Sequence, residues 1–225
     1  AVELAASVGL VLDPWQSLAL GAVLGERADG RWSALEAGIE VPRQNGKGAI
    51  LEAIELAGLF LFGEQLILHS AHEFKTAAEA FRRVVFWIEN SDDLRRRVRR
   101  VYRSHGDEGV ELLTGQRLRF VARSKGSGRG FTADRVIFDE AYNLPGETVA
   151  ALMPTLSALP NPQLVYTSSA GFGADQPESD TLWSLRRRAL TGTRADRLCY
   201  LAWCAADDAG TDDPGALAAA NPAIG

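Results

Sequence analysis

The stretch Val41-Pro42-Arg43-Gln44-Asn45-Gly46-Lys47-Gly48 decides the reading of this chain. An apolar segment, 34–41, runs into it, and a long apolar segment, 49–62, runs out of it. The order is strand, loop, helix. A helix that starts at Lys47 or Gly48 points its free backbone N–H groups and its positive dipole end back at the loop. Those donors suit a phosphate, and Lys47 adds a mobile point charge. The match to the pattern G-x-x-x-x-G-K-[ST] is incomplete. Val41 or Pro42 stands near the first glycine's place, and Gly48 stands where Ser or Thr would hold Mg²⁺. The competing reading is an ordinary strand-to-helix turn in which Gly46 supplies a positive φ.

A second stretch, Arg135-Val136-Ile137-Phe138-Asp139-Glu140-Ala141, is an apolar strand ending in two acids. Adjacent carboxylates at a core edge repel one another and are desolvated, so a purely structural pair is unusual. In P-loop ATPases such a strand lies beside the first one; its Asp serves Mg²⁺ and its Glu polarises the attacking water. A basic loop after one strand and an acidic pair after another fit one ATP–Mg²⁺ site.

The 225 residues are enough for one sizeable α/β domain. The net charge of −5 restricts any DNA contact to a local patch. Cys199 and Cys204 read as core thiols rather than a metal or disulfide pair. No run of apolar residues is long enough to span a membrane, and the first residues are not a signal peptide.

Upstream of the loop, Asp13-Pro14 marks a helix start, and Trp15 and Gln16 are candidates to meet adenine; Trp15 could equally pack the helix onto a sheet. After the loop, strand-like 65–70 follows the long helix, and the alternation argues a parallel sheet. His72 and Lys75 are weaker candidates for nucleic-acid contact. A helix from Ser91 is expected to carry Arg95, Arg96, Arg97, Arg99 and Arg100, with Arg103 just beyond. That is the densest positive patch, though a solvated helix face explains it as well. Two short strands follow, with a hairpin turn at Thr114-Gly115-Gln116. The glycine-rich loop after them carries Arg123, Lys125 and Arg129 just before the acidic strand, which suits an arginine reaching a γ-phosphate. Thr167 and Ser168 end a further apolar strand, where hydroxyls could sense the same phosphate. The end of the chain reads as a cut through a longer protein.

Taken together, these motifs resemble one family, the ATPase domain of the large terminase subunit of tailed bacteriophages, the motor that packages viral DNA. Leu12-Asp13-Pro14-Trp15-Gln16 looks like its adenine-side motif. Pro42-Arg43-Gln44-Asn45-Gly46-Lys47 is similar to its variant phosphate loop, Val136 to Ala141 to its acidic strand, and Thr167-Ser168-Ser169-Ala170 to its coupling motif.

The resemblance implies a P-loop NTPase (RecA-like) fold over 1–205, with a mainly parallel sheet flanked by helices, and a small linker at 206–225. It implies ATP and Mg²⁺ as cofactors. Trp15, Gln16, Pro42, Arg43, Gln44, Asn45, Gly46, Lys47, Gly48, Thr167 and Ser168 would bind nucleotide. Asp139 would hold metal, Glu140 would activate water, Arg43 would act in the same subunit and Arg129 on a neighbour's ATP. The implied partners are double-stranded DNA, copies of the chain in a pentameric ring, the portal protein and the small terminase subunit, in the host cytoplasm and with no membrane. The family's nuclease carboxylates have no counterpart after Gly171. A RecA-like helicase lobe and a nucleotide-binding assembly module without turnover are the alternatives.

Overall fold

The computed structural model describes residues 1–123, 132–169, 179–206, 208–210 and 212–224. Helices α1 (Val2–Ser7) and α2 (Pro14–Val23) come first, and α2 opens with proline after Asp13, as the sequence predicts. Strand β1 (Glu36–Glu40) then leads through the loop into α3 (Lys47–Ala57), which a π-helical turn extends through Gly58–Phe62. Next come β2 (Leu66–Ala71), α4 (Phe74–Glu89), α5 (Asp92–Arg97), β3 (Val98–Tyr102), β4 (Gly109–Leu112) and β5 (Arg117–Ala122). The acidic strand is β6 (Arg135–Phe138). It is followed by α6 (Gly146–Leu156), β7 (Gln163–Ser168), α7 (Asp180–Thr191), β8 (Leu198–Ala202) and α8 (Pro214–Ala220).

These strands form one sheet in the order β3-β4-β5-β2-β6-β7-β1-β8. From β5 to β8 every pairing is parallel; β3 and β4 add an antiparallel edge. The parallel strands β2, β6 and β7 are buried along their whole length, as a sheet covered on both faces requires. Helices α1 to α5 cover one face, with Leu20, Ile50, Ile54, Phe81 and Val84 in its core. Helices α6 and α7 cover the other, with Leu152, Leu156 and Leu185. No helix among the described residues is long and apolar enough to cross a membrane.

Two expectations are corrected. The acidic strand does not lie beside β1, because β7 is inserted between them and pairs with both. The inserted strand brings Thr167 next to Asp139. The arginine-bearing helix also ends at Arg97, and Arg99 and Arg100 lie on β3. The β-branched Val98 and Val101 fit that edge strand, which pairs with β4. Much of the expected positive patch is engaged locally. Arg95 pairs with Asp92 at 2.7 Å, Arg103 with Glu89 at 2.5 Å and Arg99 with Glu111 at 3.5 Å, while Arg97 donates to the Phe60 carbonyl.

Candidate active site

The loop 41–46 leaves β1 at its carboxyl end, beside the switch in strand order where open α/β sheets bind ligands. Gln44 and Gly46 both adopt positive φ, 65° and 79°. Glycine does so without strain; for Gln44 the conformation costs of order 1 kcal/mol or more, and such strain concentrates at functional sites. Gly46 caps α3, so Lys47 and Gly48 are its first residues. Asn45 is buried under the loop. Its amide donates to the carbonyls of Pro42 and Arg43 at 3.3 Å. It also donates to Asn221 Oδ1 at 2.9 Å, and its oxygen accepts from the Ala223 N–H at 3.2 Å. The segment after α8 is thereby tied to the loop.

A cavity of about 430 Å³ opens over the loop, lined by Arg43, Gln44, Lys47, Glu73, Glu140, Tyr142 and Ser169. It gathers residues from the ends of β1, β6 and β7. The Arg43 guanidinium lies 6.0 Å from the Tyr142 ring centre. Burial, helped by Glu140, raises the Tyr142 hydroxyl above its ordinary pKa, so it stays protonated at neutral pH. A larger cavity of about 880 Å³ lies between α6 and α7 on the other face, away from the loop.

The acidic pair is held on all sides. Thr167 Oγ1 donates to Asp139 Oδ1 at 2.7 Å, and the Glu140 N–H donates to the same oxygen at 2.9 Å. Glu140 itself sits at φ 55°, a left-handed conformation rare for a residue with a side chain. Its Oε2 is buried with no hydrogen-bond partner among the described residues. Arg123 clamps the backbone beneath. Its Nη1 donates to the Ser70 carbonyl at 2.9 Å, and its Nη2 to the carbonyls of Asp139 and Glu140 at 2.8 and 2.9 Å. Burial lowers its pKa to about 10, so it remains a cation at neutral pH. In the sequence Arg123 reads as one of three cations on the glycine-rich loop; its position directly after β5 is the available signal.

The remaining candidates divide. Trp15 is in the core, edge-on to Trp203 at 5.0 Å, and does not line the cavity. Gln16 is also buried. Its amide accepts from the Asp13 N–H at 2.8 Å and donates to the Gly46 carbonyl at 3.0 Å, so it braces the loop 41–46. Thr167 and Ser168 are buried and hydrogen-bonded to Asp139 and to the Ser169 carbonyl; Ser169 lines the cavity instead. Pro42, within the loop, accepts from Asn45 and is not among the residues lining the cavity. His72 meets Asn143 at 3.2 Å. Arg129 lies outside the described residues.

For a divalent metal, the second oxygen of Asp139 is the donor on offer, and Gly48 brings no hydroxyl. No cluster of three or more His, Cys, Asp or Glu occurs among the described residues. These residues fit a Mg²⁺ that keeps waters and is carried by phosphates, rather than a metal held by protein alone.

No protein-family model matches the chain, and no curated protein sequence does. Solved structures do. The HK97 bacteriophage large terminase superposes with a TM-score of 0.79 at 22% identity, over 95% of this chain and 44% of that one. A large terminase from a thermophilic bacteriophage, solved in complex with ADP, gives 0.61 at 14% identity, over 84% of this chain and 44% of that one. The Thermus phage P74-26 large terminase ATPase domain gives 0.50 at 20% identity, over 81% of this chain and 84% of that domain. The chain thus spans under half the length of the first two of these proteins. Its sheet order, its loop-to-helix junction and these superpositions agree, and the fold of this chain is the P-loop NTPase fold of the phage large-terminase ATPase domain.

Proposed function

We propose that this chain is the ATPase motor domain of a viral large terminase, hydrolysing ATP to drive double-stranded DNA into a procapsid. One observation carries the reading: Lys47 at the start of α3 and Glu140 at the end of β6 line the same cavity, with Asp139 fixed by Thr167 between strands. The large terminase of the thermophilic bacteriophage has been solved with ADP and with ATP-gamma-S, which supports a nucleotide as the ligand.

In this reading the first N–H groups of α3 and Lys47 bind the β- and γ-phosphates. Glu140, which lines the cavity, orients the attacking water and takes its proton. Arg43, beside Tyr142 at the cavity wall, stabilises the charge on the transferred group. Asp139 would hold a Mg²⁺ that arrives with the triphosphate, and that ion would supply neutralisation of phosphate charge. Arg129 is proposed to act on a neighbour's ATP. The assembly is a pentameric ring on the portal protein, working with the small terminase subunit in the host cytoplasm. Residues 1–205 are the motor body and 206–225 a linker.

Glu140→Gln tests the chemistry. Nucleotide binding is expected to persist while turnover falls ~10²-fold or more; unchanged turnover would remove Glu140 as the base. Lys47→Ala is expected to abolish ATP binding. Turnover per subunit should climb steeply with protein concentration if a neighbour's arginine completes the site; a flat, measurable rate refutes Arg129 in that role.

A further inference from the structure

In the P-loop pattern the second helical residue is Ser or Thr, whose hydroxyl meets Mg²⁺. Here it is Gly48, the second residue of α3. The space it leaves is taken. A Cβ on Gly48 would lie 3.0 Å from Arg83 Nη2 and 3.5 Å from Arg83 Cζ. Arg83 reaches this point from α4, and its aim is fixed from behind. Its Nε donates to Glu52 Oε1 at 2.6 Å. Glu52 lies one turn along α3 from Gly48, is buried, and has its other oxygen held by Trp87 Nε1 at 2.6 Å.

The tether uses only Nε. The Arg83 side chain is 43% exposed, and neither Nη group donates to any described residue. A guanidinium offers five N–H donors in a planar fork that matches phosphate oxygens. Glu52 Oε1 lies 3.5 Å from the same Cβ position, so the ion pair brings the guanidinium to the helical position where the pattern calls for a metal-binding hydroxyl, and leaves its Nη groups there. A serine at that position would crowd the fork.

We propose that Arg83 is a nucleotide-binding residue that takes over the role of the missing hydroxyl. Its Nη groups contact the β- and γ-phosphate oxygens, and Gly48 makes room for it. This rests on the reading of the cavity as a nucleotide site. With Lys47 beside it, the triphosphate is then neutralised largely by protein cations, and binding depends only weakly on Mg²⁺.

The test is equilibrium binding of a fluorescent, non-hydrolysable ATP analogue to the purified chain, in EDTA and in excess Mg²⁺. The wild type is expected to bind in EDTA within ~10-fold of its Mg²⁺ affinity. Arg83→Gln should keep the unfolding temperature to within a few degrees and lose ~10- to 100-fold of affinity in EDTA, the loss expected for charge-assisted hydrogen bonds. Arg83→Lys should recover part of it. Adding Gly48→Ser to Arg83→Gln should give a site that binds in Mg²⁺ and not in EDTA. The proposal is overturned if Arg83→Gln binds like the wild type in both conditions, or if the wild type itself loses more than ~100-fold in EDTA. In both of those cases the nucleotide reading stands, with Lys47→Ala as the non-binding control. Absence of binding by the wild type in either condition overturns both readings.

Discussion

Replacing Arg123 by Met is expected to separate stability from catalysis. The guanidinium makes three hydrogen bonds to carbonyls, of Ser70, Asp139 and Glu140. It does so at a cost: burial disfavours the charged form and lowers its pKa to about 10. Methionine removes that cost together with the bonds. Two of the three carbonyls keep a partner, because Ser70 O also accepts from the Asp139 N–H at 2.9 Å and Glu140 O from the Asn143 N–H at 3.1 Å. Only the Asp139 carbonyl is stranded, which costs ~1–3 kcal/mol. The net expectation is ~2 kcal/mol, a fall in Tm of ~4–8 °C for a chain of this size. The catalytic effect should be larger. Glu140 is held at a strained φ by this clamp, and small displacements of catalytic groups cost up to ~10²-fold in rate. Thermal unfolding, nucleotide affinity and turnover, measured well below the lowered Tm, read the two effects separately. Intact turnover alongside the lowered Tm would refute Arg123 as the residue that positions the acidic pair.

Three other outcomes are expected, the first from the proposed function and the others from the geometry. Arg129→Ala is expected to leave ATP binding intact and cut turnover by ~10³-fold or more, as for a finger acting across subunits; loss of binding would put it in its own subunit's pocket. Arg135 is fully buried against Glu64 at 2.6 Å, so Arg135→Met should cost ~3–5 kcal/mol by stranding a buried carboxylate, and Glu64→Leu in the same chain should restore much of it; a single-variant cost under ~1 kcal/mol would refute the pairing. The buried His69–Glu55 pair, 2.5 Å apart, gives a pH signature. Burial alone would lower the His69 pKa, but Glu55 outweighs it and the net direction is up, while burial raises Glu55 as well. The stabilisation from His69's raised pKa is therefore complete below about pH 6.5 and is lost as pH rises through its folded value, while the raised Glu55 adds a loss that begins above its ordinary value near 4.5. Tm should fall as pH rises above about 6.5, and Glu55→Gln should flatten that fall; equal slopes would refute it.

The strand–loop–helix around Lys47 and the acidic strand were legible because each is a local pattern of periodicity and charge. The insertion of β7 was not, since a parallel strand's neighbours are set by crossovers that leave no mark in either strand. The switch from α5 to β3 was hidden by its arginines, which suit a helix end as well as an exposed edge. Gln16 shows a subtler limit. Its amide suited adenine by chemistry, but the carbonyl it binds belongs to Gly46, and no local pattern reports a contact between residues so far apart in the chain. Arg123 was missed for a related reason: it addresses backbone carbonyls, which carry no residue identity.

The tie between Asn45 and the segment 221–223 makes the phosphate loop one end of a short leash. At ~1 kcal/mol for each of its two hydrogen bonds, the tie favours the closed arrangement by ~30-fold. A pull on the tail is therefore delivered to the loop before it is lost to solvent. A shift of the loop by an ångström must either drag the tail with it or let it go. Slack and tension at this one amide would thus be shared between the loop under the cavity and the segment after α8.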